Sequence, residues 1–276
     1  MDQKINLQYK TENEFFNPRR FFNLIKLDFF RIGYSLILAP FIVSLVQIIL
    51  VLLNAVIAYY TGRFEPISLN YSFYFFADLF IGIISTSNIL KPIHSNEKGI
   101  SFYTLGASLF EKILSLWLYS FLFYYLFSYI AVFLSSFIVS LLSYLFFHIS
   151  TTPSLLTDPL IYFENFSLYS LLTYLFIHSI FFLGSAIFKK LNFFYTILSI
   201  IVISICFNIV TGIFVKLVIP LDYFRYNIAS LSNLLQNIIQ FIMTHKYLPT
   251  LISIIFSILL YFVTYIRVNE QDLKGE

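Results

Sequence analysis

KPIHSNEKGISFYTLGASLFEK, residues 91–112, is a polar stretch that separates two long apolar tracts. Ser108 and Glu111 near its end have the spacing of a capping box, in which each side chain accepts a hydrogen bond from the backbone amide of the other residue. We therefore predict that a helix begins at Leu109. Because the sequence stays apolar to Phe147, this helix would start at the water boundary and continue into a membrane. A partner that pushed on the polar stretch would then move a membrane helix.

The composition of the chain is typical of a polytopic membrane protein. Of its 276 residues, 59% are hydrophobic and only 11% are charged. Several apolar runs exceed the length of about 20 residues that a helical crossing needs. The N-terminal residues are charged and lack a short apolar core with a cleavage site, so we expect the first span to act as an uncleaved anchor. The one cysteine, Cys206, cannot form an intrachain disulfide.

The apolar tracts predict an all-α fold with six transmembrane helices. The third tract is too long for one straight crossing and too short for two, so we interpret it as one tilted helix. In order, the predicted spans are Tyr34 to Tyr60, Tyr71 to Leu90, Leu109 to Phe147, Phe166 to Phe188, Asn192 to Ile219 and Leu248 to Ile266.

A further helix is predicted before the first span. Asn17 is a favourable N-cap, and Pro18 suits the first helical position. Residues 19–31 then mix basic and apolar side chains in the pattern of an amphipathic helix that lies at the lipid headgroups. The alternative is that these residues are only a charged flank of the first span.

The distribution of Lys and Arg predicts the orientation of the spans. With both termini in the cytosol, the positive-inside rule is satisfied, because only Arg63, Lys216, Arg225 and Lys246 fall outside. The chain is then organised as a cytosolic tail with an interfacial helix, a membrane domain, and a short cytosolic tail, with a cytosolic connector and a large outer loop inside the membrane domain. The outer loop is either a short amphipathic cap helix or a re-entrant hairpin. The first tail with its helix is 1–33, the membrane domain is 34–266 and the second tail is 267–276. Within the membrane domain, the connector is 91–111 and the outer loop is 220–247.

Polar side chains recur inside the predicted spans. They either line a translocation path between two halves of a dimer or make ordinary hydrogen bonds between helices. Two of them are ionisable, Asp78 and His178, and these two suggest either a proton path or a hydrogen-bonded helix contact. The candidate path-lining residues are Gln47, Asn54, Asp78, Ser85, His178, Ser204, Asn208 and Thr211.

The sequence lacks the motifs of the common enzyme classes. It has no phosphate-binding loop of the G-x-x-x-x-G-K-[ST] type, no H-E-x-x-H, no G-x-S-x-G and no cluster of His and Cys for a metal. We therefore expect no catalytic residue, cofactor or metal in this chain, and any ATP hydrolysis on a separate subunit. Nucleic acid is not an expected partner, since the basic residues follow membrane topology.

Two short motifs flank predicted membrane spans. Residues 103–112 read YTLGASLFEK, which is similar to the pattern T-L-P-A-S-x-x-E-K in ABC-2 permease-like membrane proteins of Bacteroidetes, with Gly106 in place of the proline. Residues 183–190 read LGSAIFKK, similar to their L-G-S-x-x-F-K-K segment. The six spans, the leading helix, the connector and the large outer loop also resemble that family's layout.

The resemblance implies a permease subunit of the bacterial inner membrane. Such a subunit would dimerise with a second copy or a related chain, would be driven by a separate ABC ATPase, and would more readily export than import. In that family the connector between the second and third spans couples to the ATPase, which here falls on Phe102, Tyr103, Thr104, Leu105, Ser108 and Glu111. The alternatives are a membrane scaffold or assembly protein without transport activity, and a proton-coupled secondary carrier that uses Asp78 and His178.

Overall fold

A computed structural model describes residues 15–61, 71–147, 168–218 and 247–274 of the chain. All regular structure in these ranges is helical. The all-α fold class is therefore confirmed for the described residues. The predicted outer loop 220–247 lies outside them except for Tyr247.

The chain enters the membrane domain through one continuous helix. Asn17 is its N-cap, and its side chain accepts hydrogen bonds from the amides of Arg19 and Arg20, with Pro18 at the first helical position as predicted. Helix α1 then runs without a break through a π-helical turn into α2. The bounds are Pro18–Asp28 for α1, Phe29–Gly33 for the turn and Tyr34–Thr61 for α2. The leading helix is thus an extension of the first predicted span, and its placement at the headgroups stays a prediction.

The connector is itself mostly helical. After α3 (Tyr71–Asn88) come a 3₁₀ turn (Lys91–His94) and a short helix, α4 (Asn96–Tyr103). The next helix begins at Leu109, and Ser108 and Glu111 form the predicted capping box. The third predicted span is one uninterrupted helix with a π-helical segment, composed of α5 (Leu109–Trp117), the segment Leu118–Phe123 and α6 (Tyr124–Phe147).

Three further helices complete the described part of the chain: α7 (Leu168–Ile187), α8 (Asn192–Val218) and α9 (Tyr247–Lys274). Leu191 adopts a left-handed backbone conformation with φ of 48° between α7 and α8. Helix α9 continues beyond Ile266, the end of the predicted sixth span, and its last turns pack against the end of α7 through Val268 and Gln271.

Among the described residues, five helical segments are long and apolar enough to cross a membrane. They are Pro18–Asn54, Leu109–Val139, Ser170–Ile187, Asn192–Phe214 and Thr250–Gln271. The chain is therefore a membrane protein, whereas a sixth crossing stays a prediction. Helix α3, which is not among these five, carries Asp78 and ends in a run of polar residues.

The main hydrophobic cluster lies where the connector meets the helices. It joins residues of α2, the connector and the two residues before it, the third predicted span, α7 and α9, so that these parts of the chain share one core. Its buried members are Leu36, Ile89, Leu90, Ile93, Phe102, Ile113, Leu116, Tyr119, Phe182, Ala186 and Val268. Helix α8 is attached to this body mainly by its first turns, at Asn192 and Thr196, which are buried. Residues 198–214 of α8 are almost entirely exposed within the single chain.

Candidate functional site

The side chain of Glu111, at the start of α5, is fully buried and bound by four donors. Its carboxylate accepts from the backbone amides of Ser108 at 2.9 Å and Asn17 at 2.7 Å. It also accepts a bidentate pair of hydrogen bonds from Arg20, at 2.7 Å from Nε and 2.9 Å from Nη2. Such a pair fixes geometry as well as charge. Glu111 therefore fastens the start of α1 to the start of the third predicted span.

Lys112, the next residue, fastens the connector to the same point. Its ammonium donates to the carbonyl of Tyr103 at 3.0 Å and lies 5.5 Å from the centroid of the Phe102 ring. Tyr103 is the last residue of α4, so the cation is placed at a helix C-terminus, where the helix dipole favours it. Two adjacent charged residues thus hold two different elements against α5.

Further contacts lock α1 onto the third span. The hydroxyl of Ser115 donates to Asp28 at 2.7 Å, and that of Tyr119 donates to the carbonyl of Ile25 at 2.7 Å. Gly33 lies directly against Tyr119, because a Cβ at that position would come within 2.6 Å of the ring. A displacement of α5 would therefore carry α1 with it.

The structure divides the predicted coupling residues into two groups. Phe102 is only 5% exposed and belongs to the main hydrophobic cluster, while Tyr103 and Leu105 are half-buried. Ser108 and Glu111 have the structural role described above. Of the six predicted residues only Thr104 is exposed, and its neighbour Ile100 is 65% exposed. In this conformation a partner can contact Ile100, Ser101 and Thr104, which we call the connector face, and it cannot contact the ring of Phe102.

His94 joins the connector to the end of α7. Its Nε2 lies 2.9 Å from the carbonyl oxygen of Ser185. Because a carbonyl only accepts, Nε2 carries the proton in this bond. The amide of Gln271 donates to the adjacent carbonyl of Ala186 at 3.1 Å. Both carbonyls belong to the last turn of α7, where the carbonyl groups of a helix have no hydrogen-bond donors within the helix itself.

Burial lowers the pKa of His94, and the positive charges of Lys189 and Arg267 act in the same direction. The hydrogen bond to Ser185 opposes the shift without reversing it. The imidazole is therefore held neutral, with Nδ1 unprotonated.

Asp78 and His178 lie in adjoining polar groups inside the bundle. Asp78 accepts hydrogen bonds from the hydroxyls of Tyr124, at 3.0 Å, and Ser128. His178 is fully buried, with Nδ1 2.8 Å from the hydroxyl of Tyr261 and Nε2 2.9 Å from that of Ser120.

Tyr174 lies between the two polar groups. Its ring stacks on that of Tyr124 with the centroids 6.2 Å apart, and its hydroxyl donates to the carbonyl of Ser120 at 3.1 Å. Gly82 makes room for both tyrosines, since a Cβ there would lie 2.6 Å from the Tyr124 ring and 2.9 Å from the Tyr174 hydroxyl.

The structure does not bring all the candidate path-lining residues together. Gln47 is buried and Ser85 is half-buried, both within the bundle, whereas Asn54 is exposed near the end of α2. Ser204, Asn208 and Thr211 are all exposed on α8. The amide of Asn208 donates to the carbonyl of Ser204 one turn earlier, at 2.7 Å. The three polar residues of α8 therefore lie on a surface of the described chain, whereas Asp78 and His178 are buried in the bundle.

No group of three or more His, Cys, Asp or Glu residues suited to a metal ion occurs in the described part of the chain. No family model, no curated protein and no solved structure matches the chain.

Proposed function

We propose that the chain is the membrane-spanning permease subunit of an ABC-2 type transporter in the bacterial inner membrane. It would form its path with a second permease copy or a related chain, act as an exporter, and be driven by a separate ATPase. The observation that supports this most is the fastening of the connector to the third span by Lys112, beside the Glu111 ion pair.

Transmission would begin at the connector face. A push on Ile100 and Thr104 would move α4 as a unit, because Phe102 anchors α4 in the main hydrophobic cluster. The hydrogen bond from Lys112 to Tyr103 would carry that displacement to the start of α5. Phe102 would then transmit the movement of α4 to the main hydrophobic cluster from inside the protein. The exposed residues of the connector face would make the contact with the ATPase.

Helix α8 supplies a surface for the second permease chain. Three polar side chains, Ser204, Asn208 and Thr211, are exposed on a mostly apolar helix. Polar side chains of a membrane helix tend to face another helix or a wet cavity instead of lipid. A partner chain against this face would place them along the path between two permeases.

The proposal is tested by affinity purification of the tagged chain from its native membranes in mild detergent. We expect an ATPase with a Walker A sequence to be recovered with the wild type, and vanadate-sensitive ATP hydrolysis in the eluate. Ile100→Asp should lose both signals, since it puts a charge on the connector face. Leu191→Asp is the matched control, because Leu191 is a 63% exposed aliphatic residue in another predicted cytosolic turn. Failure to recover any ATPase with the wild type would refute the proposal.

The buried pair of ionisable residues supports a second candidate, a proton-coupled carrier. Asp78 and His178 lie in adjoining polar groups of one bundle. A carrier of this kind would conduct protons in proteoliposomes under an imposed pH gradient, and Asp78→Asn would abolish that flux. The permease proposal predicts that the wild type and Asp78→Asn show the same background proton flux. A scaffold would show neither an ATPase nor proton flux.

A further inference from the structure

Two basic residues lie beside contacts between helices at the predicted cytosolic boundary. His94 of the connector bonds to the carbonyl of Ser185 at the end of α7, and the side chain of Gln271 on α9 donates to the adjacent carbonyl of Ala186. Lys189 follows Ser185 by four residues and Arg267 precedes Gln271 by one helical turn, so both cations lie near the same end of α7, and the charges of both act on His94. The fold thus gathers like charges that would otherwise repel one another.

Neither cation is held in a strong ion pair with another described residue. Lys189 is exposed, and no carboxylate among the described residues forms an ion pair with it. Arg267 is paired with Glu270 at 3.0 Å, three residues along the same helix. An exposed pair of this kind is weak, so the guanidinium can bind a second acceptor.

Exposed apolar side chains flank the basic ones. Ile187 precedes Lys189 and is 42% exposed, and Phe194 on the first turn of α8 is 65% exposed. The rings of Phe188 and Tyr195 lie 5.6 Å apart beside them. Aromatic residues next to Lys and Arg are typical of the boundary between lipid and water. Basic pockets between membrane helices on the cytoplasmic side bind acidic lipid headgroups.

We propose that Lys189 and Arg267 bind the phosphate of an anionic phospholipid, with the acyl chains of that lipid against Phe194 on the first turn of α8. His94 is a positioning residue, since it holds the connector and α7 together beneath the two cations. The site depends on the predicted cytosolic placement of this turn and does not depend on an ATPase.

The test is a titration of the full-length chain in neutral detergent with short-chain phosphatidylglycerol, followed by thermal stability. Short-chain phosphatidylcholine and inorganic phosphate are titrated in parallel. We expect phosphatidylglycerol to raise the melting temperature saturably, and the other two to have little effect. Each Lys or Arg near an acidic headgroup contributes about 5-fold in affinity, so Lys189→Gln/Arg267→Gln should weaken binding about 30-fold.

Two further variants make the titration specific. Arg19→Gln/Lys26→Gln removes the same charge from exposed positions of α1 and should bind phosphatidylglycerol like the wild type. Lys189→Arg/Arg267→Lys keeps the charge and should bind within a few-fold of the wild type. Equal effects of the two phospholipids would overturn the proposal. An equal effect of inorganic phosphate would also overturn it, because the site would then bind a soluble anion. An equal loss of phosphatidylglycerol binding in the α1 variant would overturn it as well, because the headgroup would then be attracted by positive charge anywhere on the chain.

Discussion

Replacement of Arg20 by leucine tests the buried attachment of α1 to the third span. The variant leaves the Glu111 carboxylate buried with only the amides of Ser108 and Asn17 as donors. Removing one partner of a buried ion pair costs about 3–5 kcal/mol. The Arg20 side chain is 33% exposed, which weakens the pair through solvent screening, so we expect a loss near the lower limit, about 3 kcal/mol.

The assay is thermal unfolding of the purified chain in detergent, followed by the fluorescence of Trp117. This is the one tryptophan in the sequence, and it lies at the end of α5. At about 2–4 °C per kcal/mol for a domain of comparable size, the melting temperature should fall by about 6–12 °C. Arg19→Leu is the control, because Arg19 is exposed and adjacent. Equal melting temperatures for the two variants would refute the buried attachment.

Three further predictions concern the connector and the bundle. Lys112→Met removes the charged donor to Tyr103, so we expect a loss of stability of about 1.5–3 kcal/mol, measured by the same unfolding assay, whereas Lys91→Met at an exposed position of the connector should have little effect. Gly82→Ala should cost about 1–3 kcal/mol in that assay because its Cβ meets two tyrosines, while Gly106→Ala, with nothing within 4 Å, should be neutral. His94 has a pKa lowered by burial, so the folded state binds fewer protons than the unfolded state below the ordinary value of 6.5. The stability of the wild type should therefore decline as the pH falls below 6.5. His94→Gln should flatten this dependence in melting curves recorded across the pH range, and an unchanged dependence of the melting temperature on pH would contradict the prediction.

Local signals allowed much of the fold to be predicted. The caps at Asn17 and Ser108 depend on residues within one turn of sequence, and the structure has both. The uninterrupted helix 109–147 also follows from a local property, its apolar length. The end of the last helix could not be predicted in this way, because the polar residues after Ile266 indicate the end of a crossing and do not end a helix whose Gln271 bonds to the end of α7.

Long-range partners could not be predicted in this way. Arg20 and Glu111 are 91 residues apart, and nothing in either neighbourhood identifies the other. Phe102 was interpreted as a contact for an ATPase because the resemblance to ABC-2 permeases makes the connector the coupling element, whereas the structure buries that ring in the main hydrophobic cluster. The polar residues of α8 follow the same helical periodicity whether the face packs within the chain or remains exposed, so the sequence alone did not distinguish these arrangements.

Cysteine cross-linking at the connector face tests the central claim most directly. Since the chain has one cysteine, Cys206→Ala gives a background in which Thr104→Cys is the only thiol. Treatment of native membranes with a short thiol-to-amine cross-linker should then join the chain to a protein with a Walker A sequence, identified by mass spectrometry. The same treatment of Lys190→Cys, exposed in another predicted cytosolic turn, should not yield that product. No ATPase cross-linked to position 104, or equal yields from both positions, would contradict the assignment of the connector as the coupling element.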